Sequence, residues 1–280
     1  MLFNSLGYTK RTRSISPVSV RSRAVCVTVI LMFEPVHLVA HRGYAARYPE
    51  NTESALMAAV AAGARYVEFD VQLTRDGVPI LLHDEGFLRT AGRPVDVHAV
   101  SMADLDNFDV GEAGRFGSRF ERTPVCDLRT AAELLAGWPQ VTAFVELKRH
   151  SLSRVGIAKV FDAVLPILEP VLSQCVVISF VAEALQESRR RCDAPVGWAV
   201  RTWNEASRRQ AEDIQPEYLF CNVDKLPADP ANIWQGPWQW VIYEITDPDQ
   251  ALQLARSGMS FIETMQFGEM HAALKERGAL

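Results

Sequence analysis

The sequence predicts an α/β fold: a closed (β/α)8 TIM-type barrel with a small insertion after the second strand. Three observations carry this. Short apolar segments alternate with helical ones through most of the chain, an order that calls for a parallel sheet. A chain of 280 residues, 48% hydrophobic, can bury one large core, and eight strand-helix units at this size favour closure over an open doubly wound sheet. No GxGxxG follows a strand, which leaves a dinucleotide-binding sheet without support.

In chain order, residues 1–33 are serine-rich, carry Lys10, Arg11, Arg13, Arg21 and Arg23, contain no acid and end in an apolar run. They read as a disordered or mis-assigned N-terminal extension. Met32 offers an alternative start, and Glu34-Pro35 stands where a signal peptide would have its small-residue cleavage site. An export signal or organelle transit segment is the other reading. The barrel domain then spans residues 34–280.

Residues 36–40 form a short strand closed by His41. Asn51 or Thr52 caps a helix to Ala62, and Gly63 stops it. Residues 65–73 form the second strand. The turn 74–77 is far too short for a parallel crossover, so residues 78–82 return antiparallel as a hairpin. Periodicity fades over residues 84–122, where glycines and charges rise, and this is the insertion.

Regular alternation resumes with a helix at 127–136, a strand at 141–148 and a helix at 153–168 whose Val160, Phe161, Val164 and Ile167 share one face. Then come a strand at 176–180, a helix at 182–191, a strand at 196–200, an Asn204-capped helix to Ile214 and a strand at 218–222. After a Pro- and Trp-rich loop, residues 239–245 form a strand. A helix capped by Asp247 with Pro248 in its first turn follows, and residues 261–264 are the last strand.

The formal charge is -5; removing the five tail cations from 29 leaves 24 basic against 34 acidic side chains, about -10 for the body. An acidic body argues against nucleic acid as a partner. A phosphate-bearing small molecule stays compatible with it, because a bound cation reverses the local sign. Cys26, Cys126, Cys175, Cys192 and Cys221 are odd in number and scattered, so they read as reduced thiols of a cytoplasmic protein. No apolar run reaches membrane-span length, so no stable membrane insertion is expected.

Catalytic groups of such barrels sit at the C-terminal strand ends. Glu68 and Asp70 lie two apart, on one face of the second strand, with Val67, Phe69 and Val71 on the other. Glu146 closes the strand 141–148, two residues before Lys148. Three carboxylates at one rim repel one another unless a divalent cation joins them, and oxygen-only ligation suits Mg²⁺ or Ca²⁺. His41 ends the first strand and His83 ends the hairpin, and the pair can divide general base and acid duties. Arg42 offers a planar fork for an anionic oxygen. Together they suggest phosphoryl chemistry. His37, His98, His150 and His271 lack such surroundings.

These residues resemble the glycerophosphodiester phosphodiesterase family. The motifs are His41-Arg42-Gly43, Pro49-Glu50-Asn51-Thr52, Glu68-Phe69-Asp70-Val71, the stretch 74–77 running into His83-Asp84, Arg89-Thr90 and Val145-Glu146-Leu147-Lys148. The resemblance implies metal-dependent hydrolysis of a glycerophosphodiester to an alcohol and glycerol 3-phosphate. By position, His41 and His83 are the acid/base pair and Glu68, Asp70 and Glu146 the metal ligands. Arg42 and Lys148 hold the phosphate and Glu50 lies near the glycerol or the metal; Tyr243, where members of the family often have tryptophan, is expected still to stack on substrate.

Tyr243-Glu244-Ile245-Thr246 and Thr264-Met265 depart from the family pattern. They bear on the leaving group and are expected to leave the metal and the histidines untouched. Two alternatives stand beside this reading. One is a phospholipase D-like enzyme acting on lysophospholipids or sphingomyelin, with Trp234, Trp238 and Trp240 as an apolar rim. The other is a catalytically silent phosphodiester-binding barrel.

Overall fold

The computed structural model describes residues 35–280; the N-terminal extension lies outside the described residues. The strands are β1 (His37–Ala40), β2 (Tyr66–Leu73), β3 (Pro79–Leu81), β4 (Thr142–Leu147), β5 (Cys175–Ser179), β6 (Val196–Val200), β7 (Tyr218–Asn222), β8 (Gln239–Tyr243) and β9 (Phe261–Thr264). All pairings except that of β3 are parallel, and β1 pairs with both β9 and β2, which closes an eight-stranded barrel. The ninth strand, β3, runs antiparallel to β2, pairing Val71 with Leu81 and Leu73 with Pro79. It takes up the C-terminal half of β2, beyond the Tyr66–Val67 stretch that β1 uses. This is the expected hairpin.

The helices are α1 (Glu53–Ala61), the short α2 (Leu88–Ala91), α3 (Met102–Leu105) and α4 (Ala113–Phe116), then α5 (Leu128–Ala136), α6 (Arg149–Val155), α7 (Ile157–Leu168), α8 (Ala182–Arg191), α9 (Glu205–Ile214), α10 (Pro248–Arg256) and α11 (Phe267–Glu276). The side chains of Thr52, Asp127, Asn204 and Asp247 cap α1, α5, α9 and α10 by accepting backbone N–H groups. Two corrections to the sequence reading concern helices. The single helix expected at 153–168 is split, because Gly156 takes φ +97 and its residue cannot continue an α-helical ladder. A last helix, α11, was not anticipated; Phe267, Met270 and Leu274, three and four residues apart, bury its inner stripe.

Strand alternation builds the barrel in layers. Val67, Phe69 and Val71 point outward into the core shared with the helices. The lumen holds Val39, Phe144, Val176, Ile178, Ala199, Phe220, Val241 and Phe261. Near its floor Phe144 meets Tyr218 edge-on with centroids 5.0 Å apart, and Tyr66 meets Phe261 at 5.1 Å. Two residues further along the same strands, the inward positions are Glu68, Glu146 and Glu263. The period of two therefore stacks a polar rim on an aromatic floor.

The insertion folds its short helices and a 3₁₀ turn (Val97–Ala99) over a core of its own, where Phe87, Val97, Leu105 and Val110 pack against Ile80 and Leu82 of the hairpin. Trp234, Trp238 and Trp240 are buried, and Trp203 stacks on Trp234 at 4.2 Å. Among the described residues these tryptophans form no exposed apolar rim, and no helix is long and apolar enough to cross a membrane. Cys126, Cys175, Cys192 and Cys221 are free thiols, and burial pushes Cys126, Cys175 and Cys221 up to about 12.

Candidate active site

The site begins where β1 ends. His41 anchors its backbone N–H on Thr264 O at 3.1 Å, and the chain turns sharply through Arg42 (φ +54) and Gly43 (φ +77). A Cβ at Gly43 would lie 2.6 Å from Ala55 C of α1, so only glycine lets the turn close against that helix. The turn aims the Arg42 backbone N–H at Glu68 Oε2, 3.0 Å away. Arg42 Nη1 donates to Glu50 Oε1 at 3.0 Å, and its Nε lies 3.3 Å from Asp70 Oδ2.

The segment Pro49-Glu50-Asn51-Thr52 is a second tight turn. Asn51, at φ +55, donates to Asp70 Oδ2 from Nδ2 (2.8 Å) and accepts the Asp70 backbone N–H at Oδ1 (3.1 Å). Thr52 meanwhile caps α1, so one short motif both starts a helix and fixes a rim carboxylate.

Glu68, Asp70 and Glu146 each present an oxygen within 4.8 Å of the others. A cation with bonds of about 2.0–2.6 Å can be shared by oxygens up to about 5 Å apart, so the trio fits a hard divalent ion. Glu68 Oε1 is buried without a hydrogen-bond donor, as an atom waiting for a cation would be. His41, Glu68 and Glu263 form a second such group, joined to the first through Glu68.

Charge explains the titration behaviour. Four buried carboxylates (Glu68, Asp70, Glu146, Glu263) face the two inner cations Arg42 and Lys148. Lys148 Nζ stands 3.1 Å from Asp70 Oδ1 and 2.8 Å from Glu146 Oε1. Burial opposes ionisation of Asp70, but Lys148 and Arg42 prevail and hold it far below the usual range. Glu68 is driven well above that range by burial, then by Asp70 and Glu263. Burial and then Glu146 do the same to Glu263. Burial also raises Glu146, despite Lys148. The cluster is thus short of positive charge by about the amount a divalent ion supplies.

The two histidines differ. His41 is buried, its pKa lowered well below the ordinary value by burial and then by Arg42, so it is neutral at neutral pH. Its Nε2 lies 3.9 Å from Glu68 Oε2 and its Nδ1 4.0 Å from Glu244 Oε1. His83, a third exposed, directs Nδ1 at Asp84 Oδ1 at 2.8 Å; a carboxylate can only accept, so Nδ1 carries the proton. Arg89 holds Asp84 from the other side, its Nε donating to Oδ2 at 2.8 Å.

His41, Arg42, Glu68, His83, Glu146, Lys148 and Tyr243 line one cavity of about 250 Å³. Asp70 lies beneath it, bound to Lys148 and Asn51. Glu50 is placed differently: both its oxygens are occupied by guanidinium donors of Arg42 and Arg89, and it does not line the cavity. One expectation is corrected here. The departure at Tyr243-Glu244 does reach the inner site, since Glu244 approaches His41; Glu263, just before Thr264-Met265, is a further acid at the rim.

Sequence reasoning also passed over Arg89, which ties Glu50, Asp84 and Glu112 together. Its signal was present, because Arg89-Thr90 stood among the matching motifs. Glu263 was equally readable as an acid inside an apolar strand.

A sequence profile of the glycerophosphoryl diester phosphodiesterase family matches residues 41–226. The chain is 29% identical over 189 residues to a glycerophosphodiester phosphodiesterase of Caldanaerobacter subterraneus, covering 65% of this chain and 76% of that protein. It is 28% identical over 222 residues to glycerophosphodiester phosphodiesterase 1 of Bos taurus, covering 77% of this chain and 65% of the bovine protein. Its fold is similar to that of an Oleispira antarctica phosphodiesterase solved with the product sn-glycerol 3-phosphate. The TM-score is 0.77 at 22% identity, over 86% of this chain and 97% of the other.

Proposed function

Because this chain belongs to the glycerophosphoryl diester phosphodiesterase family, we propose that it hydrolyses glycerophosphodiesters to an alcohol and sn-glycerol 3-phosphate, using a divalent cation and two histidines. The observation that carries this reading is one cavity lined by Glu68, Glu146, His41 and His83, with Asp70 completing the carboxylate trio. The working unit is residues 34–280, with 84–122 as the insertion, and the cytoplasm suits its free thiols.

Mg²⁺ or Ca²⁺ held by Glu68, Asp70 and Glu146 would neutralise charge developing on the phosphoryl oxygens. His41, neutral and buried, accepts the proton of the attacking oxygen. His83, its Nδ1–H held by Asp84, must also carry a proton on Nε2, which it gives to the leaving alcohol oxygen, so that one proton is taken up at His41 and one delivered from His83. Arg42 and Lys148 supply fixed positive charge to the substrate phosphate, and Glu50 sets the direction of Arg42. Tyr243, beside His41 with centroids 6.5 Å apart, offers a face to the substrate.

The test is incubation with glycerophosphocholine and assay of sn-glycerol 3-phosphate. Product should vanish with chelator and return with Mg²⁺ or Ca²⁺. His41→Ala and His83→Ala should each lower kcat by about 10²–10⁴-fold, the usual contribution of one proton-transfer group. Turnover that persists in chelator refutes the metal assignment. Release of head group from lysophospholipids alone would favour the phospholipase D-like reading, against which the buried tryptophans already weigh. No turnover of any diester would favour a silent binding barrel.

A further inference from the structure

Outside the catalytic rim, a second cluster joins the insertion to the barrel. Asp96, His98 and His150 each offer a ligand atom within 4.8 Å of the others. His98 belongs to the 3₁₀ turn of the insertion and Asp96 caps that turn, while His150 lies on α6, which leaves β4 just after Lys148.

The donors are held in place by their surroundings. Asp96 Oδ1 accepts the His98 backbone N–H at 2.7 Å, which leaves Oδ2 directed at His150 Nε2, 3.0 Å away. The two imidazoles lie with centroids 4.7 Å apart. On the far side of His150, Nδ1 is 3.6 Å from Glu85 Oε1. At that separation Glu85 makes an ion-pair contact only; a small shift of this exposed side chain would bring it within hydrogen-bond reach of Nδ1, where it would fix the tautomer of a metal-bound histidine from behind. Asp96 and Glu85 are exposed at their side chains, so a metal and its water can enter from solvent.

We propose that Asp96, His98 and His150 form a second metal site, separate from the catalytic rim, for a borderline divalent transition metal of the Zn²⁺ or Co²⁺ class. Two imidazoles and one carboxylate suit such ions, whereas Mg²⁺ and Ca²⁺ prefer the oxygen-only trio. Three protein ligands leave a fourth position for water. A metal here clips the insertion to α6. Because His150 also lines a cavity of about 430 Å³ with His83, Glu146 and Lys148, the clip restrains the wall next to the catalytic groups.

The experiment is a Co²⁺ titration of the whole protein, followed by visible absorption, with excess Mg²⁺ present to fill the oxygen site. Wild type should bind one equivalent of Co²⁺ under these conditions, with hydrogen exchange of residues 96–99 slowed. His98→Ala should abolish that binding while Mg²⁺-supported turnover stays within about twofold. Glu85→Gln, an exposed change, should weaken Co²⁺ binding by at most about 10-fold, the low end of the effect of removing an outer carboxylate. The proposal is overturned if wild type binds no Co²⁺ in excess Mg²⁺, or if His98→Ala binds it as wild type does.

Discussion

Replacing Glu68 by Gln should make the metal-free protein more stable while destroying its activity. Glu68 is buried among Asp70, Glu146 and Glu263, and its pKa is raised well above the ordinary value by burial first and by those neighbours next. An unfolded chain therefore gives up this proton at lower pH than the folded one. The native state binds more protons over that interval, so stability is full below the ordinary carboxylate range and falls as pH rises toward the folded pKa. One such group changes stability by about 1.4 kcal/mol per pH unit.

Each pH unit over which the folded chain keeps this proton and the unfolded chain has lost it lowers the stability of wild type by about 1.4 kcal/mol. For a body of this size each kcal/mol corresponds to about 2–4 °C in Tm. Gln keeps an oxygen to accept the Arg42 backbone N–H, now bonded to Glu68 Oε2 at 3.0 Å, and cannot ionise. Thermal unfolding of chelator-treated protein should therefore show a steeper fall in Tm with pH for wild type than for Glu68→Gln. A divalent ion at 100 times its Kd should return about 2.7 kcal/mol to wild type and little to the variant. A metal-free Glu68→Gln protein less stable than wild type at pH 7 would refute the reasoning, because Glu68 would then be ionised and held by Arg42.

Gly43→Ala should lower stability by more than about 2 kcal/mol, since its Cβ would meet backbone atoms of Ala55 at 2.6 and 2.7 Å on top of the φ +77 strain. Gly77→Ala, at φ +80 with nothing within 4 Å, is the control and should lose only about 1 kcal/mol; equal Tm losses would remove the clash argument. The Asp84 carboxyl is held well below its usual range by its hydrogen bond from His83 and by Arg89. Its contribution is present above the ordinary Asp range of about 3.9 and is lost as pH falls through the lower folded value. Asp84→Asn should thus reduce Tm at pH 7, with the gap to wild type closing below about pH 4. A gap that stays constant down to pH 2 would show that ionisation of Asp84 is not what stabilises the fold.

Much of the barrel was readable because its strands and helices obey simple periods, with Thr52, Asp127, Asn204 and Asp247 punctuating the helices where they stand. The split at Gly156 was hidden because apolar spacing from Val160 to Leu168 continues smoothly and one glycine does not announce its φ. In the site, residue type and strand parity were enough to bring Glu68, Asp70 and Glu146 together, since both are properties of single strands. What remained illegible was pairing across distant segments: Asp96 with His150, Arg89 with Glu50, Glu244 with His41. No local pattern encodes those contacts: the first two depend on how the insertion folds back and the third on how the barrel closes.

Backbone conformation was the other hidden variable, and it is concentrated at the site. Of the described non-glycine residues at positive φ, Arg42, Asn51, Glu112 and Glu244 all belong to the rim or to its ion-pair network. Each such residue raises the energy by about 1–3 kcal/mol and persists only where its surroundings overdetermine it. Asn51 is held by two hydrogen bonds to Asp70, Arg42 by Glu50, and Glu112 by Arg89 and Arg115. The buried carboxylates thus anchor the turns that present Arg42 and His41. Removing Glu50 should for that reason weaken substrate binding without its ever touching substrate, and Glu50→Gln, which keeps hydrogen-bond capacity but not charge, should raise KM more than it lowers kcat. An equal fall in kcat with unchanged KM would instead place Glu50 in contact with the reacting atoms.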